Sequence, residues 1–319
     1  MYTNDKEAAD ALVKKYNALT DEIGKVIVGQ KEVVKATIIS IFSNGHTLLI
    51  GVPGLAKTLL VNTISDALGL DFSRIQFTPD LMPSDITGSE ILDENRHFTF
   101  LKGPIFANIV LADEINRTPP KTQSALLEAM QEKHVTTAGK KYDLPKPFFV
   151  LATQNPIEQE GTYPLPEAQL DRFMFSVTLG YPSFDEELNV VKNTTAQYTP
   201  KVDKILSAEE ILYFQQLIRR VPIADNVLEY CVKLASKTRP HTDLAPDLVN
   251  NYLSWGAGPR ASQYLVLGAK AHALISGKYS PDIDDVKAIA GYVLSHRIVT
   301  NYKAEAEGYH TARIIKELL

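Results

Sequence analysis

Gly51-Val52-Pro53-Gly54-Leu55-Ala56-Lys57-Thr58 is the stretch on which the reading of this chain turns. It follows the apolar run Thr47-Leu48-Leu49-Ile50 and leads into Leu59, Leu60 and Val61, an order that predicts strand, glycine-rich turn and helix. Such a turn aims backbone N–H groups and the positive end of the following helix at one point, where an anion is stabilised. Lys57 can reach the β- and γ-phosphates of a nucleotide, and the Thr58 hydroxyl can ligate Mg²⁺. The common pattern has glycine immediately before the lysine, and here that residue is Ala56. Alanine fits there at negative φ, so the expectation is a position where the helix is already beginning.

The 319 residues leave room for one large domain or two smaller ones. A hydrophobic fraction of 45% supplies a substantial core. With 33 Lys and Arg against 38 Asp and Glu, the net charge is −5, so no basic field covers the protein and nucleic acid is not the expected partner. One cysteine, Cys231, excludes a disulfide within the chain and reads as a small buried residue. The polar start lacks the apolar segment of a signal peptide, and no apolar run approaches the roughly 18 residues of a membrane span. The expected setting is the cytoplasm.

Working outward from the loop, a leading helix is expected over about Ala8–Leu19, broken at Ile27-Val28-Gly29-Gln30, then a second with Val33, Val34, Thr37, Ile38 and Ile41 on one face. Strands are expected at Ser73–Phe77, Ile109–Ala112, Phe148–Ala152 and Met174–Leu179, alternating with helices as in a mostly parallel sheet covered on both faces. Two hairpins interrupt this order, one within Ser84–Phe106 and one within His134–Pro147. Between Asp113 and the second hairpin a helix is expected, with Thr118 as its cap and Pro119 in its first turn. After Tyr181-Pro182 the strand signals stop, and helices are expected at Ser207–Arg220, Asp225–Ser236, Pro259–Ser276 and Ile283–Leu294. The boundary falls near 181–206, dividing an α/β unit of residues 1–190 from a helical unit of 191–319.

Asn108–Ala112 is an apolar strand that ends in Asp113 and Glu114. Ligands gather at the carboxyl ends of parallel strands, which places this pair beside the phosphate loop. Asp113 suits the water shell of Mg²⁺, and Glu114 can polarise a water for attack on the γ-phosphate. Asn155, at the end of another apolar strand, can hydrogen-bond that phosphate or water. Arg172 precedes the last strand, and Arg260 stands at a helix start, where the helix dipole disfavours a cation and an anionic partner would offset it. His46, His134 and His296 lack metal-ligand spacing and read as packing or strand-edge residues, and Gly24 and Gly29 follow no strand and form no dinucleotide fingerprint.

Taken together, these residues resemble the AAA+ ATPases and specifically the MoxR family, in which alanine before the phosphate-loop lysine is usual. The resemblance implies an AAA+ P-loop α/β core, its parallel sheet sandwiched by helices, with an all-α C-terminal lid. Val28-Gly29-Gln30 is similar to the segment that contacts adenine, so the implied nucleotide contacts are Val28, Gly29, Gly51, Pro53, Gly54, Leu55, Ala56, Lys57, Thr58 and Leu59. Asp113-Glu114-Ile115-Asn116-Arg117 resembles the Mg²⁺ and catalytic-base segment. Asn155 matches the sensor-1 position, Arg172 the arginine finger and Arg260 the sensor-2 arginine. The hairpins correspond to the helix-2 insert and the pre-sensor-1 hairpin. The resemblance further implies Mg²⁺-dependent ATP hydrolysis, a ring of identical subunits, usually six, with Arg172 reaching a neighbour's ATP, and a chaperone that assembles or activates other protein complexes, often by cofactor or metal insertion.

Two other functions compete. Lys140 and Lys141 in the second hairpin point to a nucleic-acid motor resembling the minichromosome-maintenance helicases, although paired lysines in a turn are commonly just solvated. A scaffold that binds ATP and scarcely hydrolyses it is opposed by the intact set of Asp113, Glu114 and Asn155.

Overall fold

The computed structural model describes residues 2–92, 94, 96–158, 161–195 and 200–319. Residues 93 and 95 of the first expected hairpin, and 196–199 of the expected boundary stretch, lie outside the described residues. In chain order the strands are β1 (Thr47–Ile50), β2 (Phe72–Gln76), β3 (Gly88–Leu92), β4 (Phe98–Lys102), β5 (Ile109–Asp113), β6 (His134–Thr137), β7 (Lys140–Asp143), β8 (Phe149–Gln154) and β9 (Phe175–Thr178). β3–β4 and β6–β7 are the two antiparallel hairpins. The other five form a parallel sheet in the order β2-β5-β8-β1-β9.

Strand pleating divides the core between the two faces of this sheet. Leu48, Val110, Ala112, Val150 and Ala152 pack with Leu126, Leu127 and Met130 of the helix Pro120–Glu132. Their neighbours Leu49, Ile109, Leu111, Phe149 and Leu151 face the opposite layer, built from the helices Asp5–Gly24, Lys31–Phe42 and Lys57–Leu68 and from the C-terminal helices. Burial on both faces explains why these strands read as continuous apolar runs. The helix Pro120–Glu132 begins one residue later than expected, and Pro119, not Thr118, is its N-cap. Thr118 stays extended with its hydroxyl buried, and its carbonyl accepts from Gln123 Nε2 at 3.0 Å.

The C-terminal part consists mainly of the helices Ala208–Arg220, Asp225–Lys237, Pro259–Ile275 and Ile283–Leu294. Ser207 and Asp282 open two of them with reciprocal capping boxes. Strand structure does not stop at Tyr181, as expected, because β10 (Leu253–Trp255) pairs antiparallel with β11 (Val299–Thr300). Segments this short carry no legible alternation, and only their tertiary meeting defines them. Cys231 is fully buried, which pushes its thiol up to about 11. Among the described residues no helix is long and apolar enough to cross a membrane.

Arg297 clamps the helical part to the sheet. Its side chain, 1% exposed, donates to Asp171 Oδ1 (2.7 Å), Asp171 O (3.0 Å), Phe173 O (2.6 Å) and Met174 O (3.2 Å), and also to Val293 O. The carbonyls of Asp171, Phe173 and Met174 belong to the segment that carries Arg172 into β9. Arg297→Met keeps the side-chain volume but strands the buried acceptors, which predicts a loss of about 3–5 kcal/mol in the chemical-denaturation free energy.

Candidate functional site

β1 ends at Ile50, and Gly51 N–H donates to Gln154 O at 3.1 Å, which ties the start of the phosphate loop to the end of β8. Gly54 has φ +86° and Ala56 φ +54°. The expectation of negative φ at Ala56 is therefore overturned. Ala56 is the left-handed N-cap of the helix Lys57–Leu68, and that conformation turns the first helical N–H groups into the loop. Helical bonding begins with Leu60 N–H to Ala56 O, so the N–H groups of Lys57, Thr58 and Leu59 lack acceptors within the helix. Converging donors at a helix N-terminus fit a polyphosphate. Lys57 Nζ donates to Gly51 O at 2.6 Å, across the mouth of the loop. Burial lowers the Lys57 pKa, and Asp113, Glu114 and Glu158 oppose that shift.

The segment Val28-Gly29-Gln30 joins this loop through Gln30, whose Nε2 donates to Leu55 O at 3.2 Å. Val28 and Gly29 line a cavity of 520 Å³ with Tyr16, Ile23, Ile27 and Val34. Asp21, Lys31, Glu32 and Lys35 line it as well, so its walls are mixed, and its size suits a heterocyclic base. Gly29 has φ +70°, a left-handed conformation that favours glycine, and a Cβ there would meet only the movable Glu186 carboxylate, at 2.8 Å.

β5 delivers the carboxylates to the same edge, one strand beyond β8. Asp113 Oδ1 accepts from Thr153 Oγ1 at 2.6 Å, and Oδ2 accepts from Arg74 Nε (3.1 Å) and Nη2 (2.7 Å). Glu114 adopts φ +58°, donates its N–H to Thr153 Oγ1 at 2.9 Å, and accepts at Oε2 from Gln76 Nε2 and Arg117 Nη1, both at 3.1 Å. Asn155 is 5% exposed, and its Oδ1 accepts from Ile157 N–H at 3.2 Å. Thr58 and Asp113 are hard oxygen donors of the kind Mg²⁺ takes. Arg74, Gln76 and Thr153 were missed in the sequence, whereas Arg117 was named there only as part of the acidic segment. The one signal was that Arg74 and Gln76 share a strand face, but only the pairing of Gln76 with Asp113 gives that meaning.

Arg172 and Arg260 lie together at the other edge. They line a cleft of 180 Å³ with Asn44, His46, Lys133 and Tyr264. Arg260 Nη1 lies 3.2 Å from Asp171 Oδ2. Met174 N–H donates to His46 O at 2.8 Å, so this cleft is level with the start of β1, whereas the phosphate loop follows its end. Four strand residues separate the two by about 13 Å at ~3.3 Å per residue. Arg260 is thus brought to Arg172 and away from the phosphate loop of its own chain. His46 is buried and His296 partly buried, both as packing residues, and desolvation holds both well below the ordinary histidine range.

Comparison with known proteins agrees with this geometry. Residues 46–175 match the model of the ATPase family associated with various cellular activities (AAA), and residues 246–318 match the AAA lid domain. The chain is 43% identical to Chaperone MoxR1 of Mycobacterium tuberculosis over 93% of its own length and 79% of the relative's. This chain belongs to the MoxR family of AAA+ ATPases. Another relative, YeaC of Bacillus subtilis, has no assigned role and is 42% identical over 94% of this chain and 91% of its own. A crystal structure from Cytophaga hutchinsonii, of a protein taken to be an ATPase, superposes with a TM-score of 0.91 at 45% identity, covering 98% of this chain and 95% of that one. The MoxR chain therefore has the AAA architecture of a parallel-sheet core followed by a helical lid.

The left-handed Ala56 carries a cost that glycine would avoid. Ala56→Gly is expected to raise the denaturant midpoint, with its slope unchanged, by the equivalent of up to about 1 kcal/mol, and Ala56→Val to lower it.

Proposed function

We propose that this MoxR protein is a Mg²⁺-dependent ATPase that works as a ring of identical subunits, six by family resemblance, in the cytoplasm. The observation that carries this reading is the division of charged groups between the two edges of the sheet. One edge holds the phosphate loop, Asp113, Glu114 and Asn155. The other holds Arg172 and Arg260, too far from their own loop to reach it. A subunit by itself does not bring Arg172 and Arg260 to its own phosphate loop, and head-to-tail packing of copies brings the two edges together.

Within that arrangement Lys57 and the N–H groups of Leu55–Leu59 hold the phosphates, and Thr58 and Asp113 hold the metal. When bound, Mg²⁺ offsets charge on the β- and γ-phosphate oxygens. Glu114 orients the attacking water once it leaves Gln76 and Arg117, and Asn155 fixes that water or the terminal phosphate. Arg172 and Arg260 of the adjacent subunit stabilise the charge that develops on the leaving oxygen.

The work done with this energy is chaperone-like remodelling of a client protein complex, including activation by cofactor or metal insertion. The name of the M. tuberculosis relative supports the chaperone part. A nucleic-acid motor is less well supported, since Lys140 Nζ lies 3.3 Å from Glu90 Oε1 of the other hairpin and its charge is committed there.

Glu114→Gln is expected to bind ATP as the unaltered protein does, in a fluorescent-nucleotide titration, while phosphate release falls by about 100-fold or more. Lys57→Ala is expected to lose binding itself. Mixing Arg172→Ala with Lys57→Ala subunits is expected to restore turnover, because some interfaces then unite an intact loop with an intact finger. Rings that form but stay inactive would refute the trans arrangement.

A further inference from the structure

The cleft that holds Arg172 and Arg260 contains a third cation that the reading above leaves without a role. Lys133 ends the helix Pro120–Glu132 at φ +59°, a left-handed C-cap more often given to glycine. That turn lays the side chain 5.7 Å from the Phe148 ring centroid, with Nζ 3.2 Å from His46 Nε2. His46 Nδ1 accepts Val150 N–H at 2.9 Å, so the neutral ring carries its proton on Nε2 and donates it to Met130 O at 3.2 Å. The Lys133 ammonium therefore faces an N–H group, where no lone pair is available. Among the described residues it has no carboxylate or carbonyl partner, and burial lowers its pKa to about 8, which still leaves it mostly charged at neutral pH.

Its neighbours increase the imbalance. The Arg172 side chain has no partner among the described residues, and Arg260 shares Asp171 with Arg297. Three cations thus line 180 Å³ with one carboxylate at the margin, and that carboxylate is already divided. An anion entering this space would offset the excess of positive charge. The space accepts a phosphate group but not a whole nucleotide, for which sites begin near ~300 Å³.

We propose that Lys133 is a third phosphate-contacting cation, presented with Arg172 and Arg260 to the terminal phosphate of the nucleotide held by the next subunit. This rests on the ring reading above. It also explains why a long cation occupies a strained, poorly solvated position, since residues held in this way collect at functional sites.

The test compares Lys133→Met, which keeps the stem and removes the charge, with Lys133→Arg. Because the folded-state pKa lies below the ordinary lysine value, a buried cation costs stability at pH 7. Lys133→Met subunits are therefore expected to melt at or above the unaltered temperature and to form the same rings, while kcat for ATP falls roughly 10- to 100-fold with little change in KM. Lys133→Arg should recover most of that loss. Mixing Lys133→Met with Lys57→Ala subunits should restore turnover, as for Arg172→Ala. An unchanged kcat, or a lowered melting temperature, overturns the proposal. Recovery in the Arg172→Ala mixture without recovery in the Lys133→Met mixture places Lys133 in its own subunit and also overturns it. Failure of both mixtures removes the ring reading itself.

Discussion

All five strands of the central sheet point the same way, and every functional group takes its place from that constraint. Parallel strands present their carboxyl ends at one edge, and the chain must cross back over a face before adding the next strand. β1 lies between β8 and β9, so the loop after β1 opens beside the ends of both. The carboxylates of β5 and the amide after β8 arrive at that edge with no further device. By the same geometry, anything that precedes a strand is sent to the opposite edge. Arg172, two residues before the last buried turn into β9, has no other place to go.

The second constraint is the clamp on that segment. Arg297 binds the backbone at Asp171, Phe173 and Met174, and Asp171 turns its remaining oxygen to Arg260. The backbone of the arginine-bearing turn is fixed by a fully buried guanidinium from the helical part, while the Arg172 side chain stays uncommitted. Rigid backbone with a free charged tip is what a group needs if it is to meet a ligand carried on another molecule. Local strain has a related distribution. Gln30, Asn44, Ala56, Glu114 and Lys133 are five of the eight described non-glycine residues at positive φ, and each stands at the phosphate loop, the carboxylate pair or the arginine cleft. Positions of that kind cost about 1–2 kcal/mol each, and the packed sheet holds them in place.

Much of this molecule was legible in its residues. The sheet strands were readable because burial on both faces makes them uniformly apolar, and their observed bounds differ from the expected ones by a residue or two. The hairpins were readable from glycine and alternation. What escaped reading was conformational or pairwise. The sign of φ at Ala56 depends on how the helix must start to expose its N–H groups, which alanine itself does not announce. Arg74, Gln76 and Thr153 became partners of the acidic pair only through the register of β2 and β8 against β5. β10 and β11 are too short to declare themselves.

The sequence by itself determined the phosphate loop, the acidic pair that follows a buried strand, and the alternation that makes the sheet parallel, because each of these is set by neighbours a few residues apart. Only the tertiary structure decided that Arg172, Arg260 and Lys133 share one cleft at the far edge of the sheet. They come from three elements up to 127 positions apart in the chain, and their meeting depends on strand direction and on the Arg297 clamp. No local pattern encodes either.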